Sequence, residues 1–556
     1  MNAVAGFVVA CVFIACAPTT TLAGDQVQPP PLPVREPENI GPRTEAVDPR
    51  AYAGVLHVAA GSSDRGDGSR GAPLATISQA LARVVDAGEG KRHAVLVAAG
   101  EYKGETIRMK PYVDLFGGFD KRSWRRDIEA HRTVLDGEGQ RRVVVGASNA
   151  RIDGFVIRNG KVRGPGAGVL CDRSSPVITN NAIIENATLE PEGIDKEMIH
   201  QRGNDGAAIA CLSGSAASIA NNVISRNSTQ IGGGAGIAVA NFSTPLLLNN
   251  VITGNESGLT DVRLSRSSNG AAISATNAQH RPPMRMAVVN NVISNNRAYG
   301  KSDAGGIYLE YDSSPLVAAN WLVGNWCEDD GSAIYVMKGS HPLFAGNVVA
   351  GNNSSAIRLS KEGRGDLRQN LIFGNAAGVA CISSWMEFRN NTVVDNKSGL
   401  SYGNPYAPHL KPSIIFANLF YGNEGGQLGV EKGQEGPVVT KNDIEGGYSG
   451  GEGNFDQKPQ FVDDCVKGKV VSLDYDELRA VTTIAAGDLA GAGSTLAGRL
   501  LSIGEKWGVI KVAGGTRIVA WGDLRPKLEQ ATEFTIAPTY QLRIALAPDV
   551  GSQAKP

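Results

Sequence analysis

A short pattern, Asn-x-apolar-x-x-Asn, recurs along the middle of this chain and constrains it more than any other feature. Copies begin at Asn181, Asn222, Asn250, Asn291, Asn320, Asn347, Asn370, Asn391 and Asn418, each closed by a second Asn five residues on. Weaker copies begin at Gly154 and Asn442. Successive copies lie 21 to 29 residues apart, except for two steps of 41. A second pattern of small residues before an apolar one is interleaved, at Val169, Ile209, Ile237, Ile273, Ile307, Ile334, Ile357, Val379 and Leu400. Self-similarity at this period means an array of small units that bury their apolar faces against one another.

A unit of about 25 residues, with short apolar alternations and Asn or Gly corners, is one coil of a parallel β-helix. A leucine-rich solenoid would need its own Leu spacing, which is absent. Alternation places Ile307 and Leu309 inside, with Tyr308 and Glu310 outside. The same register stacks Cys171, Cys211, Val239, Ala275, Leu309, Val336, Leu359 and Cys381 in one interior column, where Cys acts as a small hydrophobe. Asn suits the corners because it tolerates left-handed backbone angles and can bond from its amide to the next coil. The composition agrees, with 69 Gly in 556 residues and only 6% aromatics against 42% hydrophobic residues. The expected architecture is therefore all-β. A parallel β-helix of ten or more coils spans 51–465, with a capping helix over 75–85 from its Thr start and helical apolar spacing. Residues 466–556 leave the repeat and read as a small β appendage closing the C-terminal end, with strands at Val470 to Leu473, Trp507 to Val512 and Thr516 to Trp521.

The N-terminal stretch reads as a leader. Val8 to Ala17 is apolar, and Thr21-Leu22-Ala23 offers a small-x-small cleavage site, giving a signal peptide over 1–23. Phe13-Ile14-Ala15-Cys16 resembles a bacterial lipoprotein box with Phe in place of Leu, which implies a lipid anchor at Cys16 as the alternative. Residues 24–50, with Pro29-Pro30-Pro31, Pro33, Pro37 and Pro42, read as a stiff, exposed linker. The expected location is secreted, periplasmic or at the cell surface. With 54 basic and 55 acidic residues, nothing suggests nucleic acid as a partner. Beyond the leader no stretch is apolar enough for a transmembrane span. The seven cysteines show neither a disulfide framework nor a metal pattern.

Val55-Leu56-His57-Val58, Gly66-Asp67-Gly68 and Pro73-Leu74-Ala75-Thr76-Ile77 resemble the opening of many secreted right-handed parallel β-helix proteins. Leu115-Phe116-Gly117-Gly118-Phe119 and Val134-Leu135-Asp136-Gly137 resemble their next coils. The coils at 141–447 look like the repeats of the pectate-lyase-like superfamily, so the resemblance covers about residues 54–465. It implies a right-handed helix but no single activity, because that superfamily contains lyases, glycosidases, epimerases and adhesins.

Loop lengths point to where a site sits. From the second Asn of a coil to the next interior residue the counts are 23, 10, 18, 11, 9, 5, 4 and 4. Insertions thus concentrate at one corner and taper along the axis, and the long ones, 187–206 and 256–270, are expected to overhang a cleft or form a contact. Beside them, register places Tyr308, Tyr335 and Arg358 in one outward column and Glu310, Met337 and Ser360 in the next. Tyr311, Lys338 and Lys361 follow at the turn, then Asp312 and Glu362. The preceding corner holds Trp326, Glu328, Asp329 and Asp330. Tyr308, Tyr335, Trp326 and Glu310 are candidate sugar-binding residues, since rings pack on sugar faces and charges hold hydroxyls.

By analogy with related lyases, Lys338, Lys361 and Arg358 are candidate catalytic cations, with Lys338 or Lys361 as the base of a β-elimination on a uronate. Glu328, Asp329 and Asp330 are the candidate Ca²⁺ ligands. Glycoside hydrolysis is the rival chemistry, for which Asp329 and Asp330 could start a carboxyl pair. Two family signatures are absent. Gly339-Ser340-His341-Pro342 stands where a polygalacturonase-like protein would carry Gly-His-Gly, and Arg281-Pro282-Pro283-Met284-Arg285 only echoes a pectate-lyase signature. Asp64, Asp67 and Gly68 read as a turn that could hold Ca²⁺ or simply close on itself. His200 and Arg202 lie in the longest loop, and Asn241 and Asn352 begin glycosylation-type sequons. The expected function is binding of a polysaccharide or other glycan, with Ca²⁺-dependent lyase action as its catalytic form. The alternative is a non-catalytic adhesion scaffold that presents loops to a protein partner and whose charges pair with one another.

Overall fold

The structure is a computed structural model and describes residues 33–63, 65–190, 205–259, 268–277, 282–403, 412–431, 436–486, 496–526 and 533–542. The leader, Asp64, His200, Arg202, Arg281 and most of both long insertions lie outside the described residues. Among the described residues four parallel sheets run along one axis, each strand pairing with its equivalent in the next coil. We call them A, with 12 strands, B with 14, C with 13, and D with six. One coil passes from A (Ile307–Glu310) to B (Leu316–Ala318), C (Trp321–Val323) and D (Trp326–Cys327) before the next A strand, Ile334–Val336. The interior column runs as expected, with Cys171 opposite Cys211 and Leu359 opposite Cys381, all buried. Burial pushes the Cys381 thiol up to about 12, so these thiols are inert packing groups.

The corner asparagines form two continuous ladders inside the wall. At the B–C corner, Asn250 donates from its backbone amide and from its Nδ2 to Oδ1 of Asn291, at 2.8 and 3.0 Å. Asn291 repeats this on Asn320, and a second ladder runs through Asn186, Asn227, Asn255 and Asn296 at the C–D corner. Each ladder residue also ties a backbone carbonyl, as Asn291 Nδ2 does with Leu247 at 3.0 Å. Left-handed backbone angles fall not on the ladder residues but on the residues before them, Asn180, Asn221, Asn249, Asn290, Ala319 and Gln369. The ladder position needs a side chain that donates and accepts at once, which an amide does and a carboxylate does not. Asn352 belongs to a ladder and is buried, so its sequon is not a glycan acceptor.

The helix is Ile77–Arg83, closed at its start by a reciprocal bond between Thr76 and Gln79, and it buries Ile77, Ala80 and Leu81 over the first strands. Val84 is already extended and Val85 is exposed, so it ends earlier than its apolar spacing suggests. The C-terminal strands Val466–Asp476, Val481–Ala486, Leu500–Ile503, Lys506–Gly514, Arg517–Trp521 and Glu533–Ile536 close into an antiparallel barrel. The barrel does not close the end of the helix. It lies on the outer side of sheet C, where Val223, Val251, Val292 and Trp321 share one apolar cluster with Leu500, Val509 and Trp521. Trp321 Nε1 donates to the Gly498 carbonyl at 2.8 Å and Asn295 Nδ2 to that of Trp507 at 2.7 Å. Sheet C strands such as Val223–Ser225 are apolar on both faces, and a strand of that kind requires cover on both.

Residues 33–50 are not a free linker: most stay exposed, but the segment is docked on the coils. They lie along the B–C corner and run against the direction in which the coils advance. Arg35 donates to the Gly346 carbonyl at 2.6 Å, Glu36 exchanges bonds with Asn290, and Asn221 donates to the Asn39 carbonyl at 2.7 Å. Arg43 N donates to Asn180 Oδ1 at 3.2 Å, and Tyr52 reaches Asp114 at 3.1 Å. Ile40 is 4% exposed, in the cluster shared by sheet C and the barrel. Ile40→Asp places an unpaired charge there and is expected to release the segment, read as new protease cleavage within residues 33–52. An unchanged digestion pattern would show that the polar bonds alone hold it.

Candidate functional site

Sheet D ends at Trp326–Cys327. The next coil runs from Asn352 almost directly into the A strand Ser355–Ser360. Asn353 finishes the open edge, accepting from Cys327 N at 2.9 Å and donating to the Cys327 carbonyl at 2.8 Å. The wall therefore steps inward here and leaves a ledge, the physical form of the tapering loop lengths. The residues before Ile307 and Ile334 meet on it.

Asp303 and Asp330 occupy the same place in successive coils, four residues before the interior Ile. Asp303 is fixed through its amide, which donates to Asn269 Oδ1 at 2.8 Å, and its Oδ1 accepts weakly from Asp330 N at 3.4 Å. Burial, then the charge of Asp329, pushes the Asp303 carboxyl up to about 7, against the opposing pull of the Asp330 amide and of Lys361. Like carboxylates at neighbouring positions cannot all ionise cheaply. Asp330 is half-buried and also raised, by burial, although Arg358 Nη2 pairs with it at 3.1 Å. The Nε–H of Arg358 is buried with no acceptor. Gly331, at φ +69°, makes the fit possible, because a Cβ there would meet Tyr335 Cδ2 at 2.7 Å and Arg358 Cβ at 3.0 Å.

The remaining residues expected here fall into place differently. Register pairs Tyr308 with Tyr335 and Tyr335 with Arg358, as alternation requires. The tyrosines are nevertheless not an open sugar platform: both are buried, stacked at 5.9 Å, with Tyr308 Oη 2.9 Å from Met337 Sδ. Glu310 is 2% exposed and holds Lys338 at 2.7 Å, while Tyr311 Oη holds the same ammonium at 2.8 Å. Burial alone would lower the Lys338 pKa, but these two bonds outweigh it and raise it. A lysine so held stays protonated and is a poor base, and its partner Glu310 is not available to a sugar. Lys361 is exposed at the turn, in the left-handed region at φ 48°.

The three acids expected to bind Ca²⁺ do not converge. Glu328 Oε2 accepts from the Gly300 and Lys301 amides at 2.9 and 3.0 Å, pinning the loop below, and Asp330 is taken by Arg358. Among the described residues no three His, Cys, Asp or Glu side chains form a group able to hold a metal ion. Asp67 closes its own turn, accepting from Ser69 N at 2.8 Å. Asp303 was not among the residues singled out from sequence. Its signal was the alignment with Asp330, which is visible only once coils are stacked residue by residue. Two grooves lie elsewhere, under the barrel beside Ile128 and Trp521 and under the N-terminal segment beside Tyr52 and Asp153.

Comparison with known proteins agrees on architecture. A family model described as "Right handed beta helix region" matches residues 143–327 and 259–407. A second, "Protein of unknown function (DUF1565)", matches 59–213. The fold is a right-handed parallel β-helix. No curated protein matches the chain. Similar solved structures include the A-module of the Azotobacter vinelandii mannuronan C-5 epimerase AlgE4, at 15% identity over 69% of this chain and 100% of that one, TM-score 0.39. The Dettilon tailspike protein matches at 12% over 86% and 93%, TM-score 0.37, and pectate lyase Pel9A at 14% over 80% and 89%, TM-score 0.30. No helix among the described residues is long and apolar enough to cross a membrane.

Proposed function

We propose that the protein binds a polysaccharide across the ledge and that Asp303 exchanges a proton with the bound chain. The observation that carries this reading is the Asp303 carboxyl, half-buried and raised to about 7 beside Asp329 and Asp330. A general acid works best with a pKa near ambient pH, and glycosidic cleavage pairs such an acid with a second carboxylate. Protonated Asp303 would give its proton to the glycosidic oxygen while exposed Asp329 takes one from water. The exposed Lys361 side chain would hold sugar hydroxyls or a carboxylate. On a uronate the same set supports β-elimination, with Lys361 as base and Arg358 beside the substrate carboxylate. Lys338 has no part in either. A Ca²⁺ ion would need ligands beyond Glu328, Asp329 and Asp330. We place the activity outside the cytoplasm, on the strength of the apolar run Val8 to Ala17 and the small-x-small site at Ala23. A mass measurement of the mature chain distinguishes cleavage after Ala23 from lipidation at Cys16.

The test is a screen of the mature protein against polygalacturonate, alginate, xylan and a β-glucan, with and without Ca²⁺. Ultraviolet absorbance reads elimination and new reducing ends read hydrolysis. Either signal, lost in Asp303→Asn, supports the reading, and a signal that survives that substitution removes Asp303 from the chemistry. The second reading is a non-catalytic scaffold, favoured by the Lys338–Glu310 and Arg358–Asp330 pairs. It predicts silence in both assays and no retention by any of the four matrices.

A further inference from the structure

The outward residues of sheet D change character at its end. Along one column they run Ala187, Ser228, Glu256, Arg297, Trp326. Tyr299 stands two residues beyond Arg297, and its ring lies 5.4 Å from that of Trp326 at 50°. Both rings are half-buried, in a chain with only six tryptophans, of which Trp124, Trp321 and Trp521 are buried. The tyrosine is aimed from its far end, since Oη donates to Glu256 Oε1 at 3.2 Å. Trp326 sits on the last strand of the sheet, so no further D strand covers it from above. The link to the ledge is direct: Glu328, two residues past Trp326, pins the amides of Gly300 and Lys301, next to Tyr299.

Two tilted, half-buried rings, braced by polar groups at the end of a sheet that no further described strand extends, match the apolar face of a pyranose. Flat aromatic rings offer large contact area at small conformational cost. We propose that Tyr299 and Trp326 form a stacking platform for one sugar ring, a binding subsite beside the acid at Asp303. This rests on the polysaccharide reading above and adds a position that holds the chain without taking part in its chemistry.

Affinity electrophoresis of the full chain in gels containing polygalacturonate, alginate, xylan or a β-glucan tests it. For the matrix that retards the wild type, Trp326→Ala is expected to weaken binding tenfold or more. Trp326→Phe should stay within about threefold, and Tyr299→Phe should bind nearly as well as wild type. Unchanged thermal unfolding of Trp326→Ala shows that binding rather than folding has been lost. Should Trp326→Ala bind as well as the wild type, the platform is wrong while the ledge reading stands. If no matrix retards the wild type, the polysaccharide reading fails and takes the platform with it.

Discussion

Asp303→Asn is expected to lower turnover at least a hundredfold while making the protein more stable above neutral pH. The loss follows from removing a proton donor, an effect of roughly 10²–10⁴ in rate. The gain follows from linkage. The folded-state pKa of Asp303 is raised from 3.8 to about 7, so the folded chain holds this proton more tightly than the unfolded one. Stability from Asp303 is therefore complete below about pH 4, declines as pH rises from 3.8 towards 7, and is flat above. At 1.36 kcal/mol per unit the full decline is on the order of 4 kcal/mol, and less where water screens the carboxyl. Asn keeps an oxygen for the Asp330 amide and never ionises. The variant should match the wild type near pH 4 and exceed it by about 2–4 kcal/mol at pH 8, measured by urea unfolding at both values. A difference that does not change with pH would show that the carboxyl is not held protonated. In the wild type the hydrolytic rate should fall as pH rises through 7, because the acid is then spent.

The second large effect is expected from the ladder. Asn291 accepts two bonds from Asn250 and donates to Leu247, Val289 and Asn320. Asn291→Leu strands several of these groups inside the wall, where each unmade bond costs about 1–3 kcal/mol, so a loss of about 4–6 kcal/mol is expected. Asn291→Asp should do no better, because it keeps the acceptor but loses the donors and buries a charge. The control is Asn390→Ala. Asn390 is exposed and left-handed, one position before the ladder residue Asn391, and its replacement should cost about 1 kcal/mol for the backbone angle alone. Denaturation midpoints decide the matter: equal losses in the two variants would mean that the ladder decorates the corner rather than holding it.

Much of the architecture was legible because a coil repeats its own physics. Ile307, Ile334 and Ile357 are interior because their neighbours alternate, and the Cys171–Cys211 pairing follows from counting between asparagines. What the repeat could not tell was what lies outside it. Alternation placed Tyr308 and Tyr335 outward but carries no information on whether an outward face is covered. The barrel was read as an end cap, although Val223, Val251 and Val292 were already asking for cover on sheet C. At the site, reading along the chain favoured the run Glu328-Asp329-Asp330, whereas the acid that matters is set by its neighbours in other coils. Lys338 looked like a free base for the same reason, since its partner Glu310 belongs to the coil before.

The N-terminal segment has a consequence for how such a chain comes to be folded. Stacked repeats meet only their neighbours, so they can assemble from any point and fray from either end. Residues 35–43 break that independence. Arg35 finds its partner 311 residues later, at Gly346, and Glu36 finds its own at Asn290, 254 residues on. In synthesis this stretch emerges before the coils it bonds, and its contacts are complete only once the coil containing Gly346 exists. Contacts of such long sequence separation form slowly, and once made they fasten early coils to late ones. The coils from Asp114 to Gly346 are then expected to unfold in one transition rather than peel away one by one. The last segment to settle is made before every coil it fastens, and it closes the stack like a bolt drawn across a row of planks.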